Sequence, residues 1–187
     1  MVPLFSLWMP IVVSAVLVFV ASSIMHMALK YHHDDFRNLP DEDGVRAALK
    51  PFAIPPGEYM VPGLPPKTAW NAPERKAKLI EGPIAIMTFM KPGLPEMGPQ
   101  LAMWFGYCVL VGVFAAYVAG GLIAPGAPYL HVHRYVGAVA FCGYGLALMQ
   151  HSIWYKRAWS VTLKSLFDAL VYGLVTGGVF GWLWPHA

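Results

Sequence analysis

The chain is 187 residues long and carries a formal net charge of +3, with 57% hydrophobic and 12% charged residues. Soluble domains carry about 25% charged residues, so roughly half the usual charge is missing. This balance excludes a disordered chain, a nucleic-acid-binding domain and an ordinary soluble enzyme, and it predicts an integral membrane protein that contacts the lipid bilayer and no nucleic acid.

The charge is also unevenly placed: nine of the 13 Lys+Arg and nine of the ten Asp+Glu lie between Lys30 and Glu96. A hydrocarbon core of about 30 Å is crossed by about 20 apolar residues in helix. The first segment that qualifies covers about 4–29, with no charge before Lys30. Its length, and the lack of Lys or Arg ahead of it, predict a retained span and not a cleaved signal peptide. An insert over 31–100 follows, with 12 of the 17 prolines, which disfavours long helices. Inside it, Pro40–Lys50 reads as a short helix with Asp41, Glu42 and Asp43 at its positive end, and Pro73–Ile80 as another behind an Asn71 cap. Ile84–Met90 is too short to span and reads as a strand or an interface-lying segment. Three further spans cover about 101–124, 135–155 and 159–184, joined by short links at Pro125–Pro128 and Lys156–Arg157. The predicted fold is an all-α membrane protein, one membrane domain of four transmembrane helices with a Pro-rich cytoplasmic insert between helices 1 and 2. No inverted repeat and no Pro/Gly-broken helix pair is evident, which argues against a secondary transporter.

Orientation follows from Lys and Arg near the span ends. Lys30, Arg37, Lys91, Lys156, Arg157 and Lys164 fall on one side, against Arg134 on the other. The basic side is expected to be cytoplasmic, in the inner membrane of a bacterium, with both termini outside.

In lipid, small residues at four-residue spacing mark close helix contacts. Cys108, Gly112, Ala116 and Gly120 form such a row in the second span, and Gly173, Gly177 and Gly181 in the fourth. These rows predict helix packing within the chain, with a seam to other membrane subunits or to a second copy as the alternative. Cys108 and Cys142 both fall in apolar runs and read as buried small hydrophobes.

Ionisable groups at membrane depth are rare and face the bundle interior or water. Asp168 is the outstanding one, and Lys164 and Tyr172 share its helix face at spacings of four. The three form either a structural polar cluster or a proton- or ligand-binding site, with Lys164 the expected partner of the carboxylate. His26, near the end of the first span, and Gln150 and His151, near the end of the third, are expected at the same depth. Two histidines from different helices suit a haem or a metal, so His26 and His151 are the candidates for that chemistry. No cofactor is otherwise expected. His32, His33, Asp34 and Asp35 directly follow the first span and read as a wet, charged span end.

There is no H-E-x-x-H, G-x-S-x-G, P-loop or G-x-G-x-x-G pattern, which argues against the common membrane hydrolase and ATPase chemistries. The segments S-I-W-Y-K-R-A-W-S (Ser152–Ser160), T-L-K-S-L-F-D-A-L-V-Y-G-L (Thr162–Leu174) and G-W-L-W-P (Gly181–Pro185) resemble small uncharacterised bacterial four-span inner-membrane proteins, as do L-P-D-E-D (Leu39–Asp43) and P-P-G-E-Y-M-V-P (Pro55–Pro62). The resemblance implies a four-helix bacterial membrane protein and no particular activity. Three functions are therefore expected, in this order: a non-catalytic accessory or assembly subunit of a membrane complex; a carrier of a small ligand, quinone or proton through the Asp/Lys/His cluster; and a haem- or metal-dependent membrane redox protein.

Overall fold

The computed structural model describes residues 1–186, with Thr68 by its backbone only. The chain divides into two compact units, Met1–Phe36 with Glu96–Ala187, and Arg37–Pro95. Four helices are long and apolar enough to cross a membrane: Leu4–Ala28, Met97–Leu122, Tyr129–Tyr155 and Trp159–Trp182.

In the first unit, the helix α1 (Trp8–Ser23) runs on into a π-helical turn at Ile24–Ala28. Pro10 is accommodated because it lies in the first turn, where the backbone N–H would have no partner inside the helix. The chain then turns at Leu29 into a 3-10 turn over Lys30–His32. In the second unit, α2 (Glu42–Leu49) is capped by Asp41, whose side chain accepts from the Gly44 N–H at 2.9 Å. The strand β1 (Gly57–Val61) pairs antiparallel with β2 (Ala85–Phe89), in the register Gly57 to Phe89 and Val61 to Ala85. Between them lies α3 (Pro73–Glu81). The Asn71 cap expected for α3 is not formed: Ala72 holds the cap position and Pro73, preset for a helix start, opens the first turn.

The first unit resumes with α4 (Met97–Leu122), then α5 (Tyr129–Tyr144), α6 (Met149–Tyr155) and α7 (Trp159–Trp182). Four- to six-residue differences from the expected starts of the second and third spans arise because both helices begin on polar or Pro-bearing residues that hydropathy leaves out. The third apolar helix is not continuous, as the sequence reading assumed. It breaks at Gly145 into a 3-10 turn, Leu146–Leu148, before α6.

Extensive packing runs from α1 to α4, α4 to α5, α5 to α7 and α7 back to α1, which closes a ring. The contact between α5 and α7 shows what the small residues do. A Cβ added at Gly177 would lie 2.7 Å from the His133 carbonyl oxygen, and one at Gly173 would lie 2.9 Å from that of Gly137. Only hydrogen fits there. Gly181 meets Tyr129, Gly112 meets Ile11, Gly120 meets Val2, and Cys108 and Ala116 are buried among the helices. Cys142, expected to be buried, faces outward.

The two ends of the ring differ. At one, Val2 donates to the Gly120 carbonyl (2.8 Å), the Gly126 N–H to Pro185 (2.8 Å) and Trp184 Nε1 to Ala124 (3.0 Å). The other end holds charge.

Candidate functional site

The ring order makes α1 and α7 neighbours, so the residues that follow α1 fold back onto α7. Asp168 is buried there, with a side chain 6% exposed. The Tyr31 hydroxyl donates to its Oδ1, and His32 Nε2 lies 2.8 Å from its Oδ2. The other ring nitrogen of His32, Nδ1, lies 2.6 Å from Asp35 Oδ2. Lys164 Nζ donates to Asp35 Oδ1 at 2.8 Å and to the Tyr31 carbonyl. Carboxylates accept and do not donate, so a ring serving both holds a proton on each nitrogen. The cluster then has two cations, Lys164 and His32, and two anions, Asp35 and Asp168. Such balance is what permits charge in an apolar bundle.

The electrostatics of the flanking turn follow from these bonds. Burial acts to raise the Asp35 carboxyl, but the hydrogen bonds from Lys164 and His32 outweigh it and hold the group below its ordinary range. Burial, reinforced by the bond to Asp168, pushes the Tyr31 phenol well above its ordinary value, so it stays a donor.

His26 completes the group. It sits in the π turn, a local widening that recurs at functional positions in helices. Its Nδ1 lies 3.0 Å from the Ser22 carbonyl oxygen and its Nε2 lies 3.9 Å from Asp168 Oδ2. Its ring stacks on His32 at 4.5 Å and 5°. Trp104 on α4 donates to Ser22 Oγ at 2.8 Å, which ties the turn to the next helix. A pocket lined by His26, Met27, Leu29, Lys30, His32, His33 and Asp34 opens beside it. One turn further along α7, Tyr172 packs against Trp104 and Tyr144, its hydroxyl buried without a hydrogen-bond partner among the described residues.

Against the sequence reading, Asp168, Lys164 and His26 do come together, but with different partners. Lys164 does not pair with Asp168; it holds Asp35, because the returning turn places His32 and Tyr31 on the carboxylate first. His26 and His151 are not joined. His151 and Gln150 are exposed on α6, and neither enters the hydrogen bonds of the cluster. The reason is azimuth: Ser152 faces α7 and bonds Thr162 at 2.7 Å, so the two preceding residues, at about 100° each, point elsewhere. Of the four residues read as a wet span end, only His33 and Asp34 are exposed; His32 and Asp35 are largely buried. A hint was present in the sequence, since His32 and Asp35 are three apart, one helical turn, and can face the same way.

A scan against protein-family models and searches of the curated proteins and of the solved structures give no match. The function is therefore read from the geometry of this site.

Proposed function

We propose that the chain is a membrane-embedded carrier of a small cation, proton included, with the Asp168 cluster as its binding site. The observation that carries this reading is the burial of Asp168 within a charge-balanced chain that leads through His32 to Asp35 and Lys164. Charge inside an apolar bundle costs stability and is kept where ions or protons are handled. Two helix irregularities support it. The π turn carries His26, and the Gly145 break lies where a Cβ would come within 2.7 Å of Ala169, next to Asp168. Interrupted helices beside an ion site are the usual device of carriers. We prefer it to a purely accessory role because the small-residue rows, expected to pack within the chain with a seam to other subunits as the alternative, are engaged by helices of the same chain.

In this reading the four apolar helices span a bacterial inner membrane, the termini face outward, and residues 37–95 and the charged end of the bundle face the cytoplasm. Six basic residues on that side against Arg134 on the other support the orientation. In intact cells, Lys67→Cys should resist a membrane-impermeant thiol reagent; efficient labelling reverses the orientation.

The functional test uses liposomes containing wild-type protein or Asp168→Asn, loaded with a pH dye or a divalent-cation dye. Wild type should admit protons or a divalent cation, and Asp168→Asn should not, both proteins being assayed below the melting temperature of the variant in detergent. Equal uptake by the two proteins, or none by either, rejects the carrier.

A further inference from the structure

The contacts of the two stacked histidines assign the nitrogen that each turns toward Asp168. The Ser22 carbonyl can only accept, so His26 Nδ1 donates to it, and Nε2 is the ring nitrogen left without a hydrogen bond among the described residues. Nε2 lies 3.9 Å from Asp168 Oδ2, too far for a hydrogen bond and close to the spacing of two ligands on one cation. His32 is held at both nitrogens, with Nδ1 on Asp35 and Nε2 on Asp168 Oδ2. The three atoms, two nitrogens and one oxygen, all lie within 4.8 Å of one another. Asp168 Oδ1 is occupied by the Tyr31 hydroxyl, so Oδ2, which lies 2.8 Å from His32 Nε2 and 3.9 Å from His26 Nε2, is the oxygen turned toward both imidazoles.

We propose that His26 Nε2, His32 Nε2 and Asp168 Oδ2 form a three-ligand site for a divalent transition-metal ion of the zinc class, open toward the adjacent pocket. Imidazole with one carboxylate suits these ions, and sites that exchange or act on ligands keep an open position. The support behind the ligands is what such a site needs: one histidine backed by a carboxylate, the other by a backbone carbonyl. Metal bonds of about 2.0–2.2 Å set tetrahedral ligand atoms about 3.3–3.5 Å apart. The His32–Asp168 distance of 2.8 Å then opens and the His26–Asp168 distance of 3.9 Å closes. His26, 51% exposed on an irregular turn, is free to make that adjustment. On binding, His32 releases its Nε2 proton to water and the nitrogen bonds the metal. Asp35 and Lys164 keep neutralising each other. Haem does not suit this pair, because axial ligands approach iron from opposite faces, whereas these rings lie parallel and stacked. The inference rests on the cation-carrier reading for the place of the site and deepens it by naming the ion.

The test is calorimetric titration of the full chain in detergent, stripped with chelator, with Zn²⁺. Wild type should bind one ion per chain. Asp35→Asn, which removes the support behind His32, should weaken binding by about 10–100-fold. His26→Ala should weaken it further, while its metal-free melting temperature matches wild type; His26→Gln provides the same comparison with side-chain volume retained. His131→Ala, an exposed histidine outside the cluster, should bind as wild type does. Absence of Zn²⁺ binding by wild type, unchanged affinity in both His26 variants, or loss of binding in His131→Ala overturns the site. If Zn²⁺ does not bind yet cation uptake by liposomes still depends on Asp168, the metal is wrong and the carrier stands. If one Zn²⁺ binds through His26 and no cation crosses the bilayer, the metal site stands and the carrier fails.

Discussion

The two units of the chain use charge in opposite ways. Arg37–Pro95 carries most of the charged residues and leaves all but the half-buried Arg75 exposed: Asp43 and Arg46 approach to 3.6 Å with side chains 95% and 73% exposed. This unit is shaped by its strand pair and by apolar and aromatic contacts such as Tyr59 with Phe89 and Arg75 over Trp70. The helical unit has few charges, yet one charge-balanced group of them is largely buried and hydrogen-bonded among its own members. A surface pair is screened by water and contributes little; a buried one must be complete, because removing one member strands the others. Isolated charge, at Lys164 and Asp168, points toward the site in this protein, whereas the charge-dense tetrad 32–35 contributes only His32 and Asp35 to it.

That contrast can be broken by substitution. The largest effect should come from Asp168→Leu, which leaves His32 and Lys164 facing a single carboxylate; loss of one member of a buried pair typically costs about 3–5 kcal/mol. Thermal melts in detergent should show that variant as the least stable of the set. Gly177→Ala comes next. Its methyl would press on the His133 carbonyl at 2.7 Å and on Gly137, and overpacking of this kind costs about 1–3 kcal/mol. Gly121→Ala is its control: nothing lies within 4 Å of that added carbon, so the melting temperature should not fall. The smallest effect should come from Asp43→Ala, which removes only an exposed pair and should leave the melt unchanged. If Asp43→Ala and Asp168→Leu cost the same, the contrast between the units is wrong.

Much of the bundle was legible from hydropathy, since an apolar run of the right length leaves few alternatives. The small-residue rows were legible too, because four-residue spacing keeps side chains on one helix face. Asp168 stood out as a lone carboxylate in an apolar run. Its partners did not. His32 and Asp35 sit in a polar tetrad that looks solvated, and only the reversal of the chain at Leu29, with α1 beside α7, turns them inward. Local sequence does not encode that neighbour relation. Gln150 and His151 show the converse error: residue count along a helix gives depth, but the facing direction of α6 is set by Ser152 on Thr162 and by the break at Gly145. The Asn71 cap failed for a local reason, since Pro73 fixes the helix start one residue later than an Asn71 cap requires.

The account turns on whether the charged end of the bundle is a cation site or a clasp that only holds helices together. X-ray absorption at the zinc edge, on the full chain loaded with one equivalent of Zn²⁺, addresses this directly. A shell of two imidazole nitrogens and oxygen at about 2.0–2.2 Å, losing one imidazole in His26→Ala, is the predicted result. Sulfur ligation at about 2.3 Å, or an all-oxygen shell indifferent to His26 and Asp168, would contradict it.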